Sequence, residues 1–141
     1  MQIAVGFDER MPVVDSVLRA LAETGHGVVE YGPETGQIQA WSRVAQQVAE
    51  DVASGRADQG ILFCWTGTGV SIAANKVRGV RAALCADAET ARGARLWNNA
   101  NVLCLSIRLT SETVAREILA MWFATVYVPN PADDACIAIL E

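Results

Sequence analysis

Five short apolar runs, separated by helix-length amphipathic segments, set the tightest limit on what this chain can fold into. Residues 3–7, 27–31, 60–64, 81–85 and 102–107 read as strands, rich in Val, Ile, Leu and Phe and four to eight residues long. Between them lie segments with helical spacing. Val13, Val14, Val17, Leu18 and Leu21 share one face of a helix over 12–24, with Pro12 near its start and Gly25 past its end. Further helices are expected over 41–53, 71–76 and 88–97, and a long last one over 111–125 opens on Ser111 as its capping residue. Strand-then-helix alternation is the rhythm of a parallel sheet, whose strands must be covered on both faces. The expected fold is α/β: a three-layer α/β/α sandwich, Rossmann-like, around a central five-stranded parallel sheet. From Val126 onward, Pro129 and Pro131 interrupt a tail without strong periodicity.

The third strand carries the chemistry. Gly60-Ile-Leu-Phe-Cys-Trp-Thr-Gly-Thr-Gly69 delivers the Cys64 thiol to the point where a strand ends, and glycines and threonines then turn the chain into a helix. In open α/β sheets, ligands bind beyond the carboxyl ends of strands. A helix start preceded by glycine presents unpaired N–H groups to an anion. A candidate base or nucleophile and a candidate oxyanion or phosphate cradle therefore lie within one segment. A thiol becomes a useful base where a helix terminus or a cation stabilises its thiolate.

Composition removes several classes of function. With 52% hydrophobic and 19% charged residues, the 141-residue chain can bury a core. A net charge of −5 and the lack of any basic run argue against nucleic acid as a partner. No apolar stretch approaches the length of a membrane span. Met1-Gln-Ile-Ala-Val enters a strand pattern at once, so no signal peptide is expected. Cys64, Cys85, Cys104 and Cys136 show no CxxC spacing, and with one histidine no metal site is expected. They look like the reduced cysteines of a cytoplasmic protein; Cys85, Cys104 and Cys136 read as core residues.

Seven segments, in order and nearly without gaps, carry a resemblance. They are Ile3-Ala-Val-Gly-Phe-Asp8, Gly25-His-Gly-Val-Val, Ser54-Gly-Arg-Ala-Asp-Gln-Gly60, Ser71-Ile-Ala-Ala-Asn-Lys76, Arg81-Ala-Ala-Leu-Cys-Ala-Asp87, Ala91-Arg92 and Asn98-Asn-Ala-Asn-Val-Leu103. The chain resembles the type B ribose-5-phosphate isomerase and galactose-6-phosphate isomerase family over nearly its whole length, residues 1–141 forming one such domain. The resemblance implies aldose–ketose interconversion of a sugar or sugar phosphate, without cofactor or metal. It also implies a homodimer, or a dimer of dimers, with active sites shared between subunits. Cys64 matches the cysteine that moves the proton, and Thr66 beside it is a second catalytic candidate. Gly67, Gly69 and Asn98 match positions that stabilise the enediolate oxygen. Asp8 matches a carboxylate that contacts sugar hydroxyls, and Arg108 an arginine that helps hold the substrate. Thr68, Glu9, Trp65 and Trp97 complete the expected substrate-binding set.

The chain departs from the family pattern at informative places. Glu9 stands where the family has a histidine after the first strand, Trp97 replaces the ring-opening histidine, and Trp65 and Trp41 replace a glycine and a tyrosine. The stretch 130–141 holds neither arginine nor lysine, where the family's phosphate-gripping arginines lie, and contains Asp133-Asp134. Charge-assisted hydrogen bonds contribute roughly 1.5–3 kcal/mol each, so their loss points away from an ordinary phosphosugar. Arg10 and Arg43 are the available replacement cations. Trp41, Trp65 and Trp97 read as lining a pocket, and Trp122 as core. His26 reads as structural, Asp87 as a helix cap and Lys76 as a solvated helix end. Three readings follow: an isomerase with an altered substrate, which the site residues favour; a non-catalytic structural or ligand-binding subunit; and a cysteine-dependent epimerase or lyase.

Overall fold

The computed structural model describes residues 1–141. Five strands, β1 (Gln2–Phe7), β2 (Gly27–Tyr31), β3 (Gln59–Cys64), β4 (Ala82–Leu84) and β5 (Val102–Ser106), form one sheet in the order β2-β1-β3-β5-β4. Every pairing is parallel. Six helices surround it: α1 (Pro12–Glu23), α2 (Trp41–Ala53), α3 (Thr68–Ala74), α4 (Ala88–Asn98), α5 (Glu112–Ala124) and α6 (Pro131–Ala138). The α/β sandwich expected from the alternation is the fold observed.

Alternation along the strands splits the core in two. Ile3, Val5, Phe7, Ile61, Phe63, Leu103 and Leu105 pack with residues of α1, α4 and α5. Ala4, Leu62, Cys64, Val102 and Cys104 point the other way, against α2 and α3. Two strand glycines let α2 approach closely. A Cβ on Gly6 would stand 2.8 Å from Val48 Cγ2, and one on Gly60 would stand 2.6 Å from Val48 Cγ1. Trp122 of α5 is fully buried in the first core, and its indole N–H donates to Gln59 Oε1 at 2.7 Å. The requirement that a buried indole find a polar partner is thus met.

The strand order places the site. The chain leaves β1 towards α1 on one face and leaves β3 towards α3 on the other. That divergence opens a crevice above the carboxyl ends of β1 and β3, the switch point where α/β sheets bind ligands.

Three expectations need correction. The helix after β3 starts at Thr68, not at residue 71, because Gly67 adopts a left-handed conformation at φ +76° and the turn is helical from the next residue. The tail is not irregular. Asn130 caps α6 by accepting from the Asp133 N–H, Pro131 sits at its first position, and Asp133 and Asp134 occupy its first turn. Cys136, on this helix, is exposed rather than core. Cys85 and Cys104 are core as expected, and burial pushes the Cys85 thiol up to about 12.

Candidate active site

β3 ends at Cys64, which lies beside Ser106 in the β3–β5 register and is 4% exposed. The Cys64 carbonyl accepts from Ile107 N–H at 3.0 Å, and the Trp65 carbonyl accepts from Arg108 N–H at 3.0 Å. Trp65 and Thr66 then lead into the left-handed Gly67 and the first turn of α3. From Trp65 through Val70, none of the six consecutive amides donates within the main-chain hydrogen-bond network. The first main-chain bond beyond them runs from Ser71 N–H to Gly67 O at 3.3 Å. Thr66 and Thr68 hydroxyls are 2.7 Å apart, both exposed. Trp41, at the start of α2, lays its ring against Gly69, 2.9 Å from where a Cβ would stand.

Gly67 resists substitution on two grounds. Its positive φ disfavours any side chain, and a Cβ would meet Leu84 Cδ1 at 2.5 Å and the Leu105–Ser106 peptide at 3.0 Å. The left-handed backbone alone costs a non-glycine residue about 1–2 kcal/mol, and displacement of β5 main chain adds to it. Gly67→Ala is expected to lower the urea midpoint accordingly at unchanged m-value. A midpoint equal to the parent's would show that the turn can be rebuilt.

On the neighbouring strand, Asp8 follows Phe7 with its N–H on Phe63 O at 3.3 Å, and its carbonyl accepts from Gln39 N–H at 2.9 Å. Asp8 Oδ1 is buried without a hydrogen-bond partner. Burial raises the Asp8 carboxyl above its ordinary range, and the charge of Glu9 adds to the effect. The native state therefore holds the Asp8 proton more tightly than the unfolded chain does. Ionised Asp8 opposes folding above the ordinary carboxylate range near pH 4, and the penalty fades as pH falls below it. Asp8→Asn is expected to melt a few degrees above the parent at pH 7 and to converge with it below about pH 4. A constant difference across that range would assign the effect to packing instead of charge.

Of the cations, Arg10 is consumed by Asp15 at 2.8 Å and Glu30 at 3.0 Å. Arg43 and Arg108 form no ion pair, and Arg108 is exposed at the end of the β5 turn. Asp133 and Asp134 do not face this crevice as free charges within the chain: Asn130 Nδ2 donates to Asp133 at 2.8 Å and Tyr127 O–H to Asp134 at 2.6 Å.

Asp8, Glu9, Cys64, Trp65, Thr66, Gly67, Thr68, Gly69 and Arg108 thus gather at the carboxyl edge of the sheet. Trp97 and Asn98 do not. Helix α4 is capped by Asp87, which accepts from Thr90 N–H at 2.6 Å, and runs down to end at Asn98. There Arg81, just before β4, donates to Asn99 O, and Asn101 O accepts from Gly60 N–H. Gly60 and Cys64 lie at opposite ends of β3, four residues or roughly 13 Å apart. Trp97 is 53% exposed, folds back over Gly93 and carries Arg92 5.6 Å above its ring. Sequence reasoning missed Ser106, whose hydroxyl sits among these loops; a lone serine at a strand end gives no signal until the strands are paired.

His26, Lys76 and Trp122 take the structural places expected of them. His26 stacks on Phe123 at 4.6 Å, Lys76 is exposed after α3, and Trp122 is core.

The chain matches the family model described as Ribose/Galactose Isomerase over residues 3–135. It is 35% identical over 138 residues to galactose-6-phosphate isomerase subunit LacB of Clostridium acetobutylicum, covering 97% of this chain and 80% of that one. It is 36% identical over 124 residues to D-erythrulose-4-phosphate isomerase of Pectobacterium atrosepticum, covering 86% and 82%. Among solved structures, ribose-5-phosphate isomerase B of Clostridium thermocellum superposes with a TM-score of 0.95 at 32% identity, covering 99% and 95%. These matches span the strands and loops that carry Asp8, Cys64, Asn98 and Arg108, and the chain belongs to the ribose/galactose isomerase family.

Proposed function

We propose that this chain, over residues 1–141, is an aldose–ketose isomerase that moves a proton between adjacent carbons of an open-chain sugar or sugar phosphate through an enediolate. The observation that carries this reading is the run of six amides, Trp65 to Val70, without main-chain partners directly after the Cys64 thiol. Cys64, as thiolate, takes the proton from the carbon next to the carbonyl and returns it to the former carbonyl carbon. The hydroxyl proton moves in the same sense, from the oxygen of the carbon that loses its hydrogen to the former carbonyl oxygen, and the Thr66–Thr68 hydroxyl pair at 2.7 Å supplies a relay for it. Amides of Gly67 and Gly69 meet the oxygen on which charge develops, which is where fixed donors lower a barrier. Asp8 and Glu9 hold sugar hydroxyls, with the unpartnered Asp8 Oδ1 as acceptor. Trp65 lends an apolar face, and Arg108 is the cation of the site. The four cysteines are all unpaired, in keeping with a reducing, cytoplasmic setting.

The site is completed by a second copy of the chain, in a homodimer or dimer of dimers. A second copy would bring Trp97 and Asn98 to the Cys64 edge and cover Trp41, Trp65 and Trp97, which are 46%, 55% and 53% exposed. The substrate is altered from the phosphopentoses and phosphohexoses named for relatives. Arg10 is neutralised, the tail offers no cation, and an indole at position 97 cannot protonate a ring oxygen. An open-chain substrate, free or phosphorylated and small enough for one arginine to hold, suits this site. The Pectobacterium relative, a D-erythrulose-4-phosphate isomerase, supports that size class.

The test is proton exchange in D₂O against free and phosphorylated tetroses, pentoses and hexoses, followed by NMR. Deuterium appearing next to a carbonyl, with migration of that carbonyl, is the expected result. Epimerisation or cleavage without carbonyl migration would replace the isomerase reading by the epimerase or lyase one. A second reading, a non-catalytic subunit, is favoured by Trp97 alone; tight sugar binding with no exchange anywhere in the panel would select it.

A further inference from the structure

Ser106 is the one buried polar side chain that joins the loop after β3 to the turn after β5 without belonging to the reacting set. It is 7% exposed at the end of β5. Its hydroxyl donates to the Trp65 carbonyl at 2.9 Å and accepts from Leu109 N–H at 3.1 Å. The Trp65 carbonyl is therefore held twice, by Ser106 Oγ and by Arg108 N–H at 3.0 Å. Thr110 N–H closes the turn on Ser106 O at 3.0 Å. Beneath the same residue, the Leu105–Ser106 peptide forms the floor on which Gly67 turns.

We propose that Ser106 is a positioning residue whose hydroxyl sets the spacing between the Cys64 thiol and the Arg108 guanidinium. The inference rests on the reading of Cys64 and Arg108 as the base and the cation of one site. The β3–β5 ladder ends at the Cys64 and Ser106 level, so beyond it the two loops could drift apart. Main-chain bonds from Ile107 and Arg108 tie them on one side only. The Ser106 hydroxyl adds the bridge that joins the Trp65 peptide to the turn ending at Leu109. With it, Arg108 is presented from a turn whose both ends are fixed to β5 and β3. Without it, Leu109 N–H loses its acceptor and the turn carrying Arg108 is free to open. A displacement of about 1 Å between a base and a charge that holds the substrate is enough to lose two orders of magnitude in rate.

The experiment uses two alkylating probes of nearly equal size, neutral iodoacetamide and anionic iodoacetate, in a Cys136→Ser background that removes the exposed thiol. Modification of Cys64 is followed by peptide mass spectrometry. A guanidinium held near the thiol speeds the anion over the amide, so the ratio of the two rates reports the Cys64–Arg108 spacing and needs no substrate. Ser106→Ala is expected to lower that ratio about fivefold, and Arg108→Gln to lower it at least as far. The pair Ser106→Thr and Ser106→Val isolates the hydroxyl at matched shape: threonine should keep the parental ratio and valine lose it. Equal ratios for the threonine and valine variants would overturn the proposal, whatever alanine does to stability. With the substrate identified by proton exchange, Ser106→Val should raise KM and lower kcat while Ser106→Thr restores both. A chain that exchanges no sugar proton overturns the isomerase reading and leaves the alkylation ratio to judge Ser106 by itself.

Discussion

Cys64→Ala is expected to lose proton exchange by about a thousandfold or more, with the protein still folded. General-base catalysis by a positioned side chain contributes roughly 10²–10⁴-fold, and Cys64 is the one titratable group at the head of the unpaired amide run. Alanine suits the position structurally. The residue ends a central strand, its carbonyl is held by Ile107 N–H, and its side chain faces the core layer of α2 and α3 among other small residues. Removing one sulfur there costs on the order of 1 kcal/mol, a few degrees in Tm. Cys64→Ser sharpens the result, since a hydroxyl keeps the shape and the hydrogen-bonding capacity but ionises far less readily than a thiol. Both variants should therefore melt near the parent and both should be silent in D₂O. Retention of exchange within tenfold in either variant would move the base elsewhere, and Asp8 is the group that burial has prepared for that role.

How much of this was legible in the sequence depends on whether the cause was local. The strands were, because alternating apolar runs bounded by Gly and polar residues need no partner to be recognised, and all five formed. Trp122 was, as a large apolar residue on the inner face of a long helix. The start of α3 was misplaced because the helical turn begins at Thr68-Gly69, residues that read as loop, and only the left-handed Gly67 before them shows where the turn closes. The tail helix α6 was missed although its signals are local: Asn130-Pro131 is a cap followed by a first-turn proline, and two aspartates follow in the first turn. It lacks an apolar stripe and buries no residue, so hydrophobic periodicity does not mark it. Ser106 was invisible because its importance lies in a pairing across β3 and β5, forty-two positions apart in the sequence. The residues at the carboxyl edge could be grouped from strand ends alone. What sequence could not supply was that Trp97 and Asn98 close a helix at the other edge, which follows from α4 running antiparallel to the sheet.

That separation makes the strongest claim of the proposed site open to a mixing experiment. Asn98→Ala should be nearly as silent as Cys64→Ala if Asn98 holds the enediolate oxygen, yet the two residues cannot meet within one chain. Roughly 13 Å of strand divides their levels, and the β5–β4 side of the sheet lies between them. When the two variants are unfolded together and refolded, random pairing makes half of all dimers mixed. Each mixed dimer holds one site with both defects and one with neither, so about a quarter of parental activity should return from two silent proteins. Asp8→Asn provides the control. Asp8 and Cys64 share an edge, so mixing Asp8→Asn with Cys64→Ala leaves a defect in every site, and no activity beyond that of the two variants on their own should appear. Recovery in the first mixture and none in the second can arise only from a site whose Cys64 and Asp8 come from one chain and whose Asn98 comes from the other. Silence in both mixtures, with mixed dimers verified by mass, would return the reaction to a single chain and leave Trp97 and Asn98 as surface residues of α4.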